Sequence, residues 1–191
     1  MSLDEKAWQA ARERIGRAAR AAGRDPATVR LLAVSKTQPA QAVREAWELG
    51  QRAFGDNYVQ EAAAKRDALA GLEGVEWRLV GPLQSNKAAL AADVFDAVES
   101  VDRAKIAERL SAARLASRPP LEVLVQVNIS GEASKSGVVP DEAVASTTTT
   151  RRPSCARASR FISPDSTRAL RKTSGAYWRR ISIPGIPAAP E

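Results

Sequence analysis

The sequence predicts an α/β fold on a parallel sheet, either an open doubly wound sheet or a (β/α)8 TIM-barrel-like one that is incomplete, with about five βα units. Three observations predict it. Short apolar runs begin near residues 29, 53, 75, 94 and 121, so successive starts lie 24, 22, 19 and 27 residues apart, the length of a strand, a helix and their turns. Apolar residues between these runs recur at steps of three and four, the period of a helix with one buried face. The first run, Val29 to Ser35, is too continuously apolar for a strand with one wet face and suits a strand covered on both sides.

Taken in order, Ser2-x-x-Glu5 has the form of a capping box, and Trp8, Ala11, Ile15, Ala18 and Ala22 continue a helical stripe that Gly23 ends. Val29 to Ser35 follows as the first strand. A helix from about Pro39 to Leu49 closes at Gly50, the usual C-terminal glycine position. Further strands are expected near Ala53-Phe54, Val75 to Val80, Val94 to Val98 and Leu121 to Ile129, with helices around Val59 to Leu69, Ser85 to Ala92 and Asp102 to Ala116.

Composition excludes several chemistries. The chain has 191 residues, one cysteine (Cys155) and no histidine. An intramolecular disulfide is therefore impossible, and zinc sites and Ser-His or Cys-His nucleophile systems lose their usual residues. No stretch approaches the roughly 18 apolar residues of a membrane span, and Met1-Ser2-Leu3-Asp4-Glu5 lacks the features of a signal peptide, so a cytoplasmic chain with no membrane partner is expected. The net charge of +7 is confined to one end. Residues 146–191 hold nine of the 29 lysines and arginines and two of the 22 acidic residues, which leaves residues 1–145 with twenty of each. A neutral body offers a phosphate backbone no footprint, so no specific nucleic acid is expected as a partner.

Candidate chemistry sits where strands end. Lys36 closes Leu31-Leu32-Ala33-Val34-Ser35-Lys36-Thr37, and a lysine at the carboxyl end of such a strand projects into the crevice where these folds bind ligands. Apolar flanks exclude water and favour the nucleophilic form of the amine; the plain alternative is a solvated strand-end lysine. Phe54-Gly55-Asp56-Asn57-Tyr58-Val59-Gln60-Glu61 supplies the donor and acceptor of Asn57, with Asp56 or Asn57 placed to cap the next helix. Trp77 to Lys87 repeats the plan with Gly81-Pro82 and a polar helix start at Ser85, suited to an anion or simply to an N-cap. Val127-Asn128-Ile129-Ser130 through Lys135-Ser136-Gly137 ends the fifth strand in a small polar loop.

These four segments, in this order across roughly residues 3 to 145, resemble the signature segments of the pyridoxal phosphate homeostasis family. The resemblance implies a single-domain barrel similar to the N-terminal domain of alanine racemase, spanning 1–145. It implies pyridoxal 5'-phosphate (PLP) as cofactor, held as a Schiff base on Lys36 with Asn57 and Asn86 near its ring or phosphate. It further implies a monomeric protein of vitamin B6 balance that binds the cofactor without turnover, hence not an enzyme. Arg78 stands where the family usually has histidine, and the family's late Ser-Met-Gly-Met-Ser and Arg-x-Gly-x-x-x-Phe-Gly phosphate-binding segments do not occur.

Two other readings remain open on the residues. A PLP-dependent amino-acid racemase would share the fold but relies on a second acid/base residue, typically a tyrosine from an additional domain, and the chain offers Tyr58 and Tyr177. A nucleic-acid or partner-binding role would rest on residues 146–191, where Phe161, Tyr177 and Trp178 are interleaved with arginines. That segment carries 13 of the chain's serines and threonines against 11 in the first 145 residues, together with five prolines and the run Thr147 to Thr150. Its composition reads as a basic tail, disordered or translated out of frame, and its basicity matches what GC-rich coding DNA gives in a shifted frame.

Overall fold

The computed structural model of the chain describes residues 3–132, 134–140 and 176–183. The elements alternate as the βα spacing requires, and they fall into two compact units that divide between Arg78 and Leu79.

The first unit opens with α1 (Glu5–Ala21). Its N-cap is Asp4, whose carboxylate accepts from the Ala7 N–H at 3.0 Å; Ser2 lies outside the described residues. Its inward face is Gly16 and Ala19 with Trp8, Ala11 and Ile15 half-buried, so the buried stripe is rotated by one position from the predicted one and leaves Ala18 and Ala22 exposed. The first strand is much shorter than the apolar run: β1 is Ala33–Val34, and Pro26–Thr28 before it forms a 3-10 turn capped by Asp25. Coverage on both faces is not achieved either, because Val34 is 52% exposed. β1 pairs with one neighbour among the described residues, β2, so its far side has nothing described against it.

α2 (Ala40–Glu48) and α3 (Val59–Ala68) match the predicted helices within two residues, and Gly50 adopts φ 88 just past the first of them. β2 (Ala53–Asp56) is buried at every position and runs parallel to β1 with Ala33 opposite Phe54 and Val34 opposite Gly55. β3 (Glu76–Leu79) completes this unit's strands, and the Phe54 and Trp77 rings meet at 6.1 Å between neighbouring strands, a tilted contact that joins them inside the core.

In the second unit a 3-10 turn (Ser85–Lys87) leads into α4 (Ala88–Val94). This helix runs through Val94, so β4 (Ala97–Val101) starts three residues later than the sequence predicts. Val94 and Phe95 are buried as the end of a helix packed inward, which their apolarity alone does not distinguish from a strand start. α5 (Ala104–Ala113) is followed by β5 (Leu121–Asn128), which alternates buried and half-buried residues and pairs parallel with β4 across an irregularity between Val98 and Val101. β6 (Ala176–Ile183) pairs antiparallel with β5, Leu121 opposite Ile183 and Asn128 opposite Ala176. The sequence gives no strand period there. The remainder of the expected tail, 146–175 and 184–191, lies outside the described residues.

Candidate functional site

Lys36 stands two residues beyond β1, exposed, in the turn Lys36-Thr37. The β1–β2 register, with the Ser35 N–H donating to the Gly55 carbonyl at 2.7 Å just past it, puts the segments that carry Lys36 and Asn57 at the same, carboxyl end of two paired strands. Asn57 is half-buried in the bend after β2. These two predicted residues are therefore brought to the same edge. Asn86 belongs to the second unit, exposed on the 3-10 turn Ser85–Lys87. The water-excluding surrounding expected from the apolar flanks of Lys36 is not formed by the described residues, since both Lys36 and Val34 are exposed.

Beneath Lys36 lies a network that the sequence reading did not assign. Lys65 on α3 is 6% exposed and donates to three acceptors: the Ser35 carbonyl at 2.5 Å, Asp56 Oδ2 at 2.9 Å and Glu61 Oε1 at 2.7 Å. Asp56 is fully buried, and its Oδ2 also accepts from the Ser35 hydroxyl at 3.1 Å. Glu61 Oε1 accepts from the Thr37 N–H at 2.7 Å. The hydrogen bond from Lys65 is the main reason the Glu61 carboxyl is held below its ordinary value; partial burial opposes it, and the Thr37 N–H and the Lys65 charge assist. Asp56 Oδ1 is buried with no hydrogen-bond partner among the described residues. Neither Asp56 nor Asn57 caps α3, whose N-cap is Tyr58 with no side-chain hydrogen bond. Asp56 is instead spent on neutralising Lys65, as a buried ammonium requires.

Thr37 has φ 62, the one non-glycine residue with positive φ among the described residues. A β-branched residue in that region costs on the order of 1–3 kcal/mol and persists only where surrounding contacts impose it. The spacing Glu61-x-x-x-Lys65 is visible in the sequence as a helical i,i+4 pair, but such pairs ordinarily lie on a solvated face, and nothing local shows that this one turns inward.

Arg78, the residue that departs from the resembled pattern, lies in β3 at 8% exposure and is paired with Glu76, which also pairs with Arg30. Burial works to raise the Glu76 carboxyl, and the hydrogen bonds and charges of Arg30 and Arg78 overcome it, leaving the group below its ordinary value. Ser85 does not act as an N-cap: Gln84 occupies that position, and Arg109 donates to the Ser85 carbonyl at 2.9 Å. The loop after β5 is folded onto its own strand by Asn128, whose amide donates to the Glu132 and Lys135 carbonyls at 2.9 and 3.2 Å while its Oδ1 accepts from the Gly131 N–H at 3.1 Å. No cluster of three or more metal-ligating residues occurs among the described residues.

Comparison with known proteins bears on this arrangement. The pattern of the alanine racemase N-terminal domain matches residues 8–162. A pyridoxal phosphate homeostasis protein of Pseudomonas aeruginosa is 60% identical over 129 residues, 68% of this chain and 56% of that protein. One of the same name from Escherichia coli K12 is 52% identical over 129 residues, 66% and 55% respectively. The chain thus spans about half the length of the curated relatives it matches. Among solved structures, PipY of Synechococcus elongatus PCC7942 without PLP superposes with a TM-score of 0.58 at 38% identity, covering 71% of this chain and 63% of that one. An unknown protein from Bifidobacterium adolescentis gives 0.62 at 34%, covering 72% and 60%. The family expected from the four strand-end segments is the one whose name these relatives bear, and the barrel expected from them is the fold of the matched domain. Since that domain's pattern covers most of the sequence, including every strand end that carries a candidate residue, the chain belongs to the alanine racemase N-terminal domain family.

Proposed function

We propose that the chain binds pyridoxal 5'-phosphate covalently through Lys36 and serves intracellular PLP homeostasis as a cytoplasmic monomer, holding the cofactor rather than turning over a substrate. The observation that carries the proposal is the placement of Lys36: an exposed primary amine just past the carboxyl end of a parallel strand, with Asn57 following the neighbouring strand at the same end. The residues fit the aldehyde end of the cofactor, because an amine suited to the carbonyl and an amide suited to a ring substituent follow neighbouring strands at the same end. When bound, the cofactor supplies an electron-withdrawing ring. The chain's part is to present the amine and orient the ring. Asn86 is carried in the proposal on its segment alone. The names of the bacterial relatives support homeostasis as the role, and no described helix is long and apolar enough to cross a membrane.

An absorption spectrum of the purified chain with added PLP tests this. The expected result is a band near ~420 nm, a property of the linked cofactor, that is lost in Lys36→Ala. A chain that stays colourless with PLP in excess overturns the proposal.

A further inference from the structure

We infer that the Glu61–Lys65 ion pair is a positioning device for Lys36, gripping both peptide groups that flank it; the inference rests on Lys36 being the attachment point. The carbonyl of the Ser35–Lys36 peptide accepts from Lys65 Nζ at 2.5 Å, and the N–H of the Lys36–Thr37 peptide donates to Glu61 Oε1 at 2.7 Å. The same two side chains bond each other at 2.7 Å, so the grip is one rigid unit mounted on α3. Behind it Asp56, fully buried, anchors Lys65 Nζ from β2 and holds the Ser35 hydroxyl as well. Lys36 is thus the one residue of this turn whose preceding carbonyl and following amide are both fixed, while its own side chain is left exposed.

Thr37 supplies a second, independent indication. Its φ of 62 is a conformation that glycine or asparagine adopts readily and threonine resists. The Gln38 N–H closes the turn by donating to the Ser35 carbonyl at 3.0 Å, and a threonine in its third position takes φ 62 against its own preference, so the contacts around the turn must hold it there. Side-chain direction at Lys36 follows from the orientation of its Cα, and that orientation is set by the two gripped peptides. Glu61 and Lys65 therefore act through Lys36, as positioning residues rather than as ligands of the cofactor. An error of about 1 Å in an anchoring atom is enough to weaken bond formation severely, which is why such a grip matters to chemistry as well as to folding.

Trapping with PLP and cyanoborohydride, read by peptide mapping of the full chain, tests the inference, with melting temperature followed in parallel. In the parent chain the reduced label concentrates on Lys36. In Glu61→Ala the Lys36 label falls at least about fivefold relative to exposed Lys6 and Lys105, and in Glu61→Gln, which keeps an oxygen for the Thr37 N–H, it falls less. Adding Thr37→Gly to Glu61→Ala restores part of the loss, because glycine reaches φ near 62 without the steric cost that the grip otherwise overcomes. Label within about twofold of the parent in Glu61→Ala overturns the inference, as does a loss that Thr37→Gly leaves unrepaired, since that is the mark of a structural role alone. If Glu61→Ala does not fold, the same comparison is made with Glu61→Gln and its Thr37→Gly double variant. A parent chain unlabelled at Lys36 rejects the attachment point and the grip together, whereas a labelled parent with unchanged variants rejects the grip alone.

Discussion

A guanidinium buried in a strand needs a counter-charge, and Arg78 has one two residues back, on the same side of β3, in Glu76. Arg30 shares that carboxylate, so a single acid serves two bases. Its acidity is raised by the pair, and the consequence for stability has a definite sign. A carboxyl whose folded-state pKa lies below its unfolded value contributes stability that is fully present above the unfolded value and is lost as pH falls through the folded one. The Glu76 and Glu61 carboxyls both have this shift. Urea midpoints recorded from pH 7 down to pH 3 are expected to fall below about pH 4.5, and Glu76→Gln is expected to flatten that limb while costing about 2 kcal/mol at pH 7 by removing the charge that pairs with Arg30 and Arg78. An acid limb equally steep in Glu76→Gln would show that the pair does not stabilise the strand.

At the scale of elements, the second unit is joined by an arginine where an apolar contact would be expected. Arg114, 1% exposed at the end of α5, donates to the Ala92 and Phe95 carbonyls that close α4 at 2.5 and 3.0 Å and twice to the Pro119 carbonyl that precedes β5. It satisfies the unmet carbonyls of one helix end and fastens two helices and a strand at one point. Arg114→Met removes those bonds in a site with no water to replace them, and the expected loss is about 3 kcal/mol in urea unfolding at unchanged m. The loop after β5 depends on a different constraint. Gly137 has φ 133, and a Cβ there would meet the Asn128 backbone nitrogen at 2.7 Å, so the strand and the returning loop approach as closely as two backbones can. Gly137→Ala is expected to cost about 2–4 kcal/mol and to free the Asn128 hydrogen bonds, seen as faster amide exchange at Gly131.

For the whole molecule, the charge distribution separates two regions that folding does not. Residues 1–145 are neutral in sum and contain every element from α1 to β5, whereas the excess of +7 belongs to 146–191. β6 lies within the basic region and pairs along the full length of β5. Among the described residues the βα repeat runs through five parallel strands, where a closed barrel of this type needs eight. We propose that the reading frame shifts near residue 146, and the underlying DNA decides it: another frame downstream of that codon is expected to encode an Arg-x-Gly-x-x-x-Phe-Gly-like segment. If no frame does, the basic region is the protein's own and the proposal is withdrawn.

The sequence by itself determined the α/β class, the positions of most helices and the strand ends, because hydrophobic period and glycine stops are local properties of the chain. It also singled out Lys36 and Asn57, as strand-end residues in segments that resemble a known family's. That the two stand at the same end of paired strands became visible in the structure, since hydrogen bonding between β1 and β2 fixes how those strands align. What only the tertiary structure decided is the environment of those residues. Val34 is exposed though apolar, Lys65 is buried though charged, and Thr37 is held in a conformation its side chain resists. The burial of Lys65 and the conformation at Thr37 follow from groups brought together across 9 to 30 positions of sequence, through the bonds from Lys65 to Asp56 and the Ser35 carbonyl and from the Thr37 N–H to Glu61, a distance over which no local pattern carries information.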